Sequence, residues 1–129
     1  MLKTGILNPA VLSLLSRVRH TNTLVIADRG FPFWPMIETV DISLVDDIPT
    51  VLDVLHAIRP NFTIGHVSMA EEFLKNNAQE AQTRFRSALE GIHIDFEPHI
   101  LFKKRVPSAI GLIRTGDTIQ YANMILESA

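Results

Sequence analysis

The chain has 129 residues, 47% of them hydrophobic, and a formal charge of −2 from 12 basic and 14 acidic side chains. This balance suits one compact domain over residues 1–129 and argues against nucleic acid or an anionic membrane as a partner. The sequence has no cysteine, which excludes disulfides, thiolate metal sites and a cysteine nucleophile together.

The apolar stretch 1–18 is broken by Asn8-Pro9, Ser13 and Ser16 and is followed by no small-x-small cleavage site. No apolar run approaches bilayer length, so the expectation is a cytoplasmic protein with no membrane partner. Asn8 is predicted to cap a helix with Pro9 at its first position. Val11, Leu12, Leu14, Leu15 and Val18 then follow at helical spacing, and the helix stops near His20. Thr23–Ala27 reads as a buried strand ending at Asp28, and Gly30, Pro32 and Pro35 mark a loop. Val40–Leu44 alternates like a strand, and a second helical stripe runs from Val51 to Ile58. Phe62–Val67 is predicted as a strand, and Glu71–Leu89 as a helix with a break near Asn76-Asn77 and a stop at Gly91. Ile92, Ile94 and Phe96 alternate as a strand, and Ile100–Lys104 forms a short helix. Ile110–Arg114 and Asn123–Leu126 close the chain as strands around a Gly116-Asp117 turn. The expected fold is α/β, a three-layer α/β/α single domain whose central sheet is mixed because the closing strands are joined by a short turn.

The chemistry is narrowed first by what is missing. The glycines fit neither a dinucleotide nor a P-loop spacing, there is no Gly-x-Ser-x-Gly elbow, and no histidine pair has helical metal-ligand spacing. The remaining tools are histidines, carboxylates, amides and a tyrosine, which point to proton transfer. His20 follows the first helix, where the helix dipole favours a protonated imidazole. Asp28 ends a buried strand, on the side of an α/β sheet where ligands collect. The plainer alternative is a helix cap and a turn. His93, Asp95, Glu97 and His99 would share one strand face; they read either as a divalent metal set or as the wet face of an edge strand. Tyr121-Ala122-Asn123 offers a phenol, a carbonyl and an amide suited to sugar hydroxyls, or simply a strand start. His56 and His66 sit in otherwise apolar segments and read as interior or interface residues.

Several stretches in order resemble the D-ribose pyranase and fucose mutarotase family, more closely its ribose pyranase branch. They are Gly5-Ile6-Leu7-Asn8, His20-Thr21-Asn22-Thr23 through Ala27-Asp28, Gly30 and Pro32, and His99 with Phe102-Lys103. Ile113-Arg114-Thr115-Gly116, Tyr121-Ala122-Asn123 and Ile125-Leu126 complete them. The resemblance implies an isomerase that interconverts ring forms of a free aldose, either pyranose with furanose or one anomer with the other. It implies His20 as the acid, Asp28 and His99 as sugar ligands, and Tyr121, Ala122 and Asn123 as pocket lining. It also implies no metal and no cofactor, and a ring-shaped homo-oligomer (a pentamer or a decamer) with the small free monosaccharide bound between subunits. A non-catalytic sugar-binding or sensing subunit of the same fold is the alternative. Arg29 stands where the family has a small residue; it is expected to pair with Asp28 or to reach an anionic group on the ligand. Trp34, in a bulky Phe33-Trp34-Pro35 loop, reads as a stacking platform or a subunit contact.

Overall fold

A computed structural model describes residues 1–129. Helix α1 spans Pro9–Ser16 and begins as expected, with the Asn8 side chain accepting from the Val11 backbone N–H at 3.0 Å. It ends one turn earlier than its apolar stripe suggests. Arg17 N–H already bonds back to Leu14, and a separate turn follows in which Asn22 accepts from Arg19 N–H and Thr21 takes a positive φ of 67°. His20 lies exposed in that turn, beyond the reach of a dipole effect that fades within the last helical turn.

Strand β1 spans Thr23–Ala27, and β2 spans Glu38–Asp41. β2 lies two to three residues earlier than its alternation predicts, because only Glu38–Asp41 finds a partner and Asp41 then turns its carboxylate back onto Ser43. Helix α2, Val51–Ile58, starts with a capping box between Thr50 and Asp53. Strand β3 is Ile64–Ala70, and helices α3, Glu72–Asn76, and α4, Gln79–Ala88, are separated near Asn77 as the sequence indicates. Strand β4, His93–Glu97, helix α5, His99–Arg105, and strands β5, Gly111–Arg114, and β6, Met124–Ser128, complete the chain. None of the helices is long and apolar enough to cross a membrane.

The six strands run β2-β5-β1-β6-β3-β4. β1 and β2 lie parallel to β5 and β3 lies parallel to β4, whereas β6 is antiparallel to both β1 and β3. The sheet is mixed, but not for the expected reason. β5 and β6 do not pair; β1 sits between them. Residues 115–123 therefore cross the carboxyl end of β1, and this crossing builds the site.

Alternation along β1 divides the core. Leu24 and Ile26 face α1–α4 in a cluster with Leu14, Leu55, Phe73 and Phe85. Val25 and Ala27 face the other way, into a smaller cluster with Phe31, Phe102, Val106 and Leu112. The layers are thus four helices, the sheet, and α5. Gly111 allows the first contact to be close: a Cβ there would stand 2.6 Å from a Leu14 methyl and 3.0 Å from the Glu38 carbonyl.

Candidate active site

The carboxyl end of β1 carries Asp28 into a cavity of about 320 Å³ whose walls include Phe31, His99, Gln120, Tyr121 and Asn123. Each wall is fixed by a traceable bond. Asn123 accepts from the Asp28 backbone N–H at 2.7 Å, and Asp28 accepts from Gly30 N–H at 3.0 Å. Thr115 donates its hydroxyl to the Ala27 carbonyl at 2.8 Å, and the Asp117 carbonyl accepts from Arg29 N–H at 3.1 Å. Tyr121 turns the chain into β6 through a positive φ of 57°, a conformation that costs a non-glycine residue about 1 kcal/mol or more. The preceding carbonyl, of Gln120, is held by Asn77 at 2.8 Å.

His99 begins α5, where its backbone N–H donates to both oxygens of Glu72 at 3.0 and 3.1 Å. Its ring meets Tyr121 edge-on at 5.0 Å, Phe31 edge-on at 6.0 Å and Phe102 in a stack at 5.9 Å. The ring atom Nδ1 is buried without a hydrogen-bond partner, which is costly unless a ligand or water supplies one. Burial, together with Lys103, pushes the His99 pKa below its ordinary value against an opposing pull from Glu72 and Asp28. Burial also raises the Asp28 pKa, despite hydrogen bonds from Gly30 and Asn123 that favour its charge. The cavity therefore holds a carboxylate and an imidazole that both resist charge, beside a phenol and an amide. Such a set can exchange protons with, and hydrogen-bond, a small polyhydroxylated molecule.

Of the residues singled out in the sequence, Asp28, His99, Tyr121 and Asn123 come together here. Ala122 is fully buried in the four-helix core rather than in the cavity wall. His20 is not in the cavity of its own chain: it precedes β1 and Asp28 follows it, and five residues at ~3.3 Å each separate those ends by roughly 15 Å. Arg29 does not pair with Asp28. Its backbone is held inward, and its guanidinium projects to Asp46 at 2.6 Å, so the expected lowering of the Asp28 pKa is absent. Trp34 packs against Phe31 at 6.2 Å in the smaller core and lines a neighbouring groove with Phe33 and Lys103.

The His93, Asp95, Glu97, His99 row does not form a unit. Glu97 bonds Arg105 and His99 has left the strand, while Asp95 bridges His93 at 2.8 Å and His66 at 2.9 Å on the uncovered edge of the sheet. No three of the chain's acidic and histidine side chains are disposed to hold a metal ion. His66 belongs to this wet face and His56 is exposed on α2, so neither is interior. A larger cleft of about 550 Å³ lies between α2 and α4. Its one buried ionisable group, Asp117, is already engaged by the Val51 and Ile119 N–H groups.

Phe31, Gln120 and Glu72 were not legible as site residues. Phe31 reads as core, Glu72 acts only through a backbone N–H 27 positions away, and Gln120 is signalled solely by preceding Tyr121.

Among known proteins, a D-ribose pyranase of Geobacillus kaustophilus is 38% identical over 128 residues, spanning 99% of this chain and 93% of that one. A solved structure of Bacillus subtilis RbsD complexed with D-ribose matches with a TM-score of 0.92 at 31% identity, covering 100% of this chain and 98% of that one. A fucose mutarotase from Streptococcus pneumoniae, solved in complex with L-fucose, shares the fold at a TM-score of 0.81 and 20% identity, over 95% and 92% of the two chains. The model of the RbsD / FucU transport protein family matches residues 1–129, and with relatives this similar over their whole length the chain belongs to that family.

Proposed function

We propose that the chain acts as one sugar-mutarotase-like domain, an isomerase that interconverts the pyranose and furanose forms, or the anomers, of a free aldose. D-ribose is the first sugar to test. The observation that carries the reading is the convergence of Asp28, His99, Tyr121 and Asn123 on one cavity, in a family whose relatives include D-ribose pyranases.

The chemistry asks for little more. A cyclic hemiacetal opens when a proton leaves the anomeric hydroxyl and another reaches the ring oxygen. Rotation and reclosure through another hydroxyl, or onto the other face, gives the new form. No glycosidic bond breaks, so paired carboxylates around a leaving group are not required, and neither proton transfer calls for a metal or nucleotide. Acid–base assistance supplies ~10²–10⁴-fold over a reaction that already runs in water. In this reading Asp28, His99, Tyr121 and Asn123 hold the hydroxyls, and His20 is the acid.

His20 must then come from a second copy of the chain. Self-association into a closed ring, a pentamer or a pair of pentamers, draws support from Phe33 and Ile100, large apolar side chains each more than 60% exposed in the groove that adjoins the cavity at Pro32. A sugar-binding or sensing subunit without turnover is the second reading, favoured by the separation of His20 from the cavity within one chain.

Saturation-transfer NMR on D-ribose and a panel of aldoses measures ring exchange directly. Acceleration of at least one sugar, lost in His20→Ala, is the expected result. Binding without acceleration would replace the isomerase by the sensor.

A further inference from the structure

We infer that Arg114 is a positioning residue that sets the geometry of the Asp28–Pro32 loop, and through it the affinity for sugar. The inference rests on the reading of the cavity as a sugar site. Arg114 pairs with Ala27 across the parallel β1–β5 register, so it stands beside the last residue of β1. Two residues after Leu112, it projects to the same face as Phe31 and α5. There its guanidinium donates from one nitrogen to the Asp28 carbonyl at 3.2 Å and the Arg29 carbonyl at 3.3 Å. The other nitrogen donates to the Pro32 carbonyl at 3.2 Å.

One planar group thus ties three carbonyls across five residues of a loop that has no regular secondary structure to hold it. Arg114 makes no ion pair; the four Lys or Arg ion pairs of the chain use Arg17, Arg29, Lys75 and Arg105. Its charge is satisfied by carbonyl dipoles alone, which leaves the Asp28 carboxylate free for the cavity. The same loop presents Gly30 N–H to that carboxylate and carries Phe31 against His99. Releasing the clamp moves a carboxylate and an aromatic wall together. Misplacement of binding groups by about 1 Å costs up to ~10²-fold in rate. Lysine keeps the charge but offers a single ammonium where the fork reaches both ends of the loop.

The test compares wild type, Arg114→Lys and Arg114→Met by ribose exchange at varied sugar concentration, with ribose titration and thermal unfolding alongside. Arg114→Met is expected to raise KM and Kd about tenfold or more, with Arg114→Lys between it and wild type. Wild-type KM and Kd in both variants, whatever their melting temperatures, would overturn the inference, because a purely structural arginine changes stability without changing affinity. Should Arg114→Met not fold, Arg114→Lys decides alone by the same criterion. A wild type that binds ribose without exchanging it removes the isomerase reading and leaves the Kd comparison to decide on Arg114. A wild type that does neither removes both.

Discussion

Phe102 is fully buried on α5, and it is the side chain through which the smaller core supports the cavity: Phe31 meets it edge-on at 6.0 Å and His99 stacks on it at 5.9 Å. Phe102→Ala should cost about 3–5 kcal/mol of stability, the range for emptying a buried aromatic site. For a domain of this size that corresponds to a fall of roughly 10–25 °C in Tm. A specific loss should accompany it, because His99 and Phe31 lose the ring that fixes them: KM for ribose should rise about tenfold, equivalent to ~1.4 kcal/mol of binding. Phe85→Ala is the matched control. Phe85 is equally buried but packs on Phe73 at 4.8 Å in the four-helix core, on the other side of the sheet. It should cost the same ~3–5 kcal/mol and leave KM within about twofold at temperatures where the variant is folded. Urea unfolding and exchange NMR on both variants give the four numbers. Equal KM values in the two, or a cost below ~1 kcal/mol for Phe102→Ala, would refute the claim that α5 packing holds the site.

Asp28→Asn should abolish ring exchange yet raise Tm at pH 7. Burial raises the Asp28 pKa, so its charge costs stability above that pKa; the cost fades as pH falls through it, and variant and wild type should converge at acid pH in a thermal melt series. The His99 pKa is depressed by burial and Lys103, so the stability tied to its neutral form is complete above about pH 6.5 and lost as pH falls through the lowered value. Wild type should accordingly lose stability relative to His99→Gln between pH 7 and pH 5, measured by urea titration. Arg29→Ala removes an exposed ion pair to Asp46 whose side chains are 58% and 62% exposed. The change in stability should stay within ~1 kcal/mol, and exchange rates across a sugar panel should keep their wild-type ratios, because the guanidinium reaches Asp46 and does not line the cavity.

Much of the fold was legible because it is written locally. Asn8-Pro9 caps α1, the apolar stripe from Val51 to Ile58 marks α2, and the run Thr23–Ala27 has no polar alternative to a buried strand. The insertion of β1 between β5 and β6 was not legible, since a short connection after Gly116 looks the same whether or not a third strand lies beneath it. Asp28, Tyr121 and Asn123 stood out at strand ends, where a turn and a strand start explained them equally well, and the family resemblance is what marked them as sugar ligands. Their meeting was not, because it follows from that insertion. The pairing of Arg29 with Asp28 failed for a related reason: its partner Asp46 lies 17 residues away in a turn whose place no local pattern gives. His20 looked like a helix-end histidine until the turn at Thr21 and Asn22 took it off the helix.

The most direct measurement mixes two dead chains. His20→Ala keeps the cavity and Asp28→Asn keeps the imidazole, so co-refolding them in equal amounts pairs an intact His20 with an intact Asp28 in about one site in four. Ribose exchange should return to roughly a quarter of the wild-type rate in the mixture while each variant alone stays silent. A mixture that co-assembles and remains as inactive as its parts would contradict a site shared between copies.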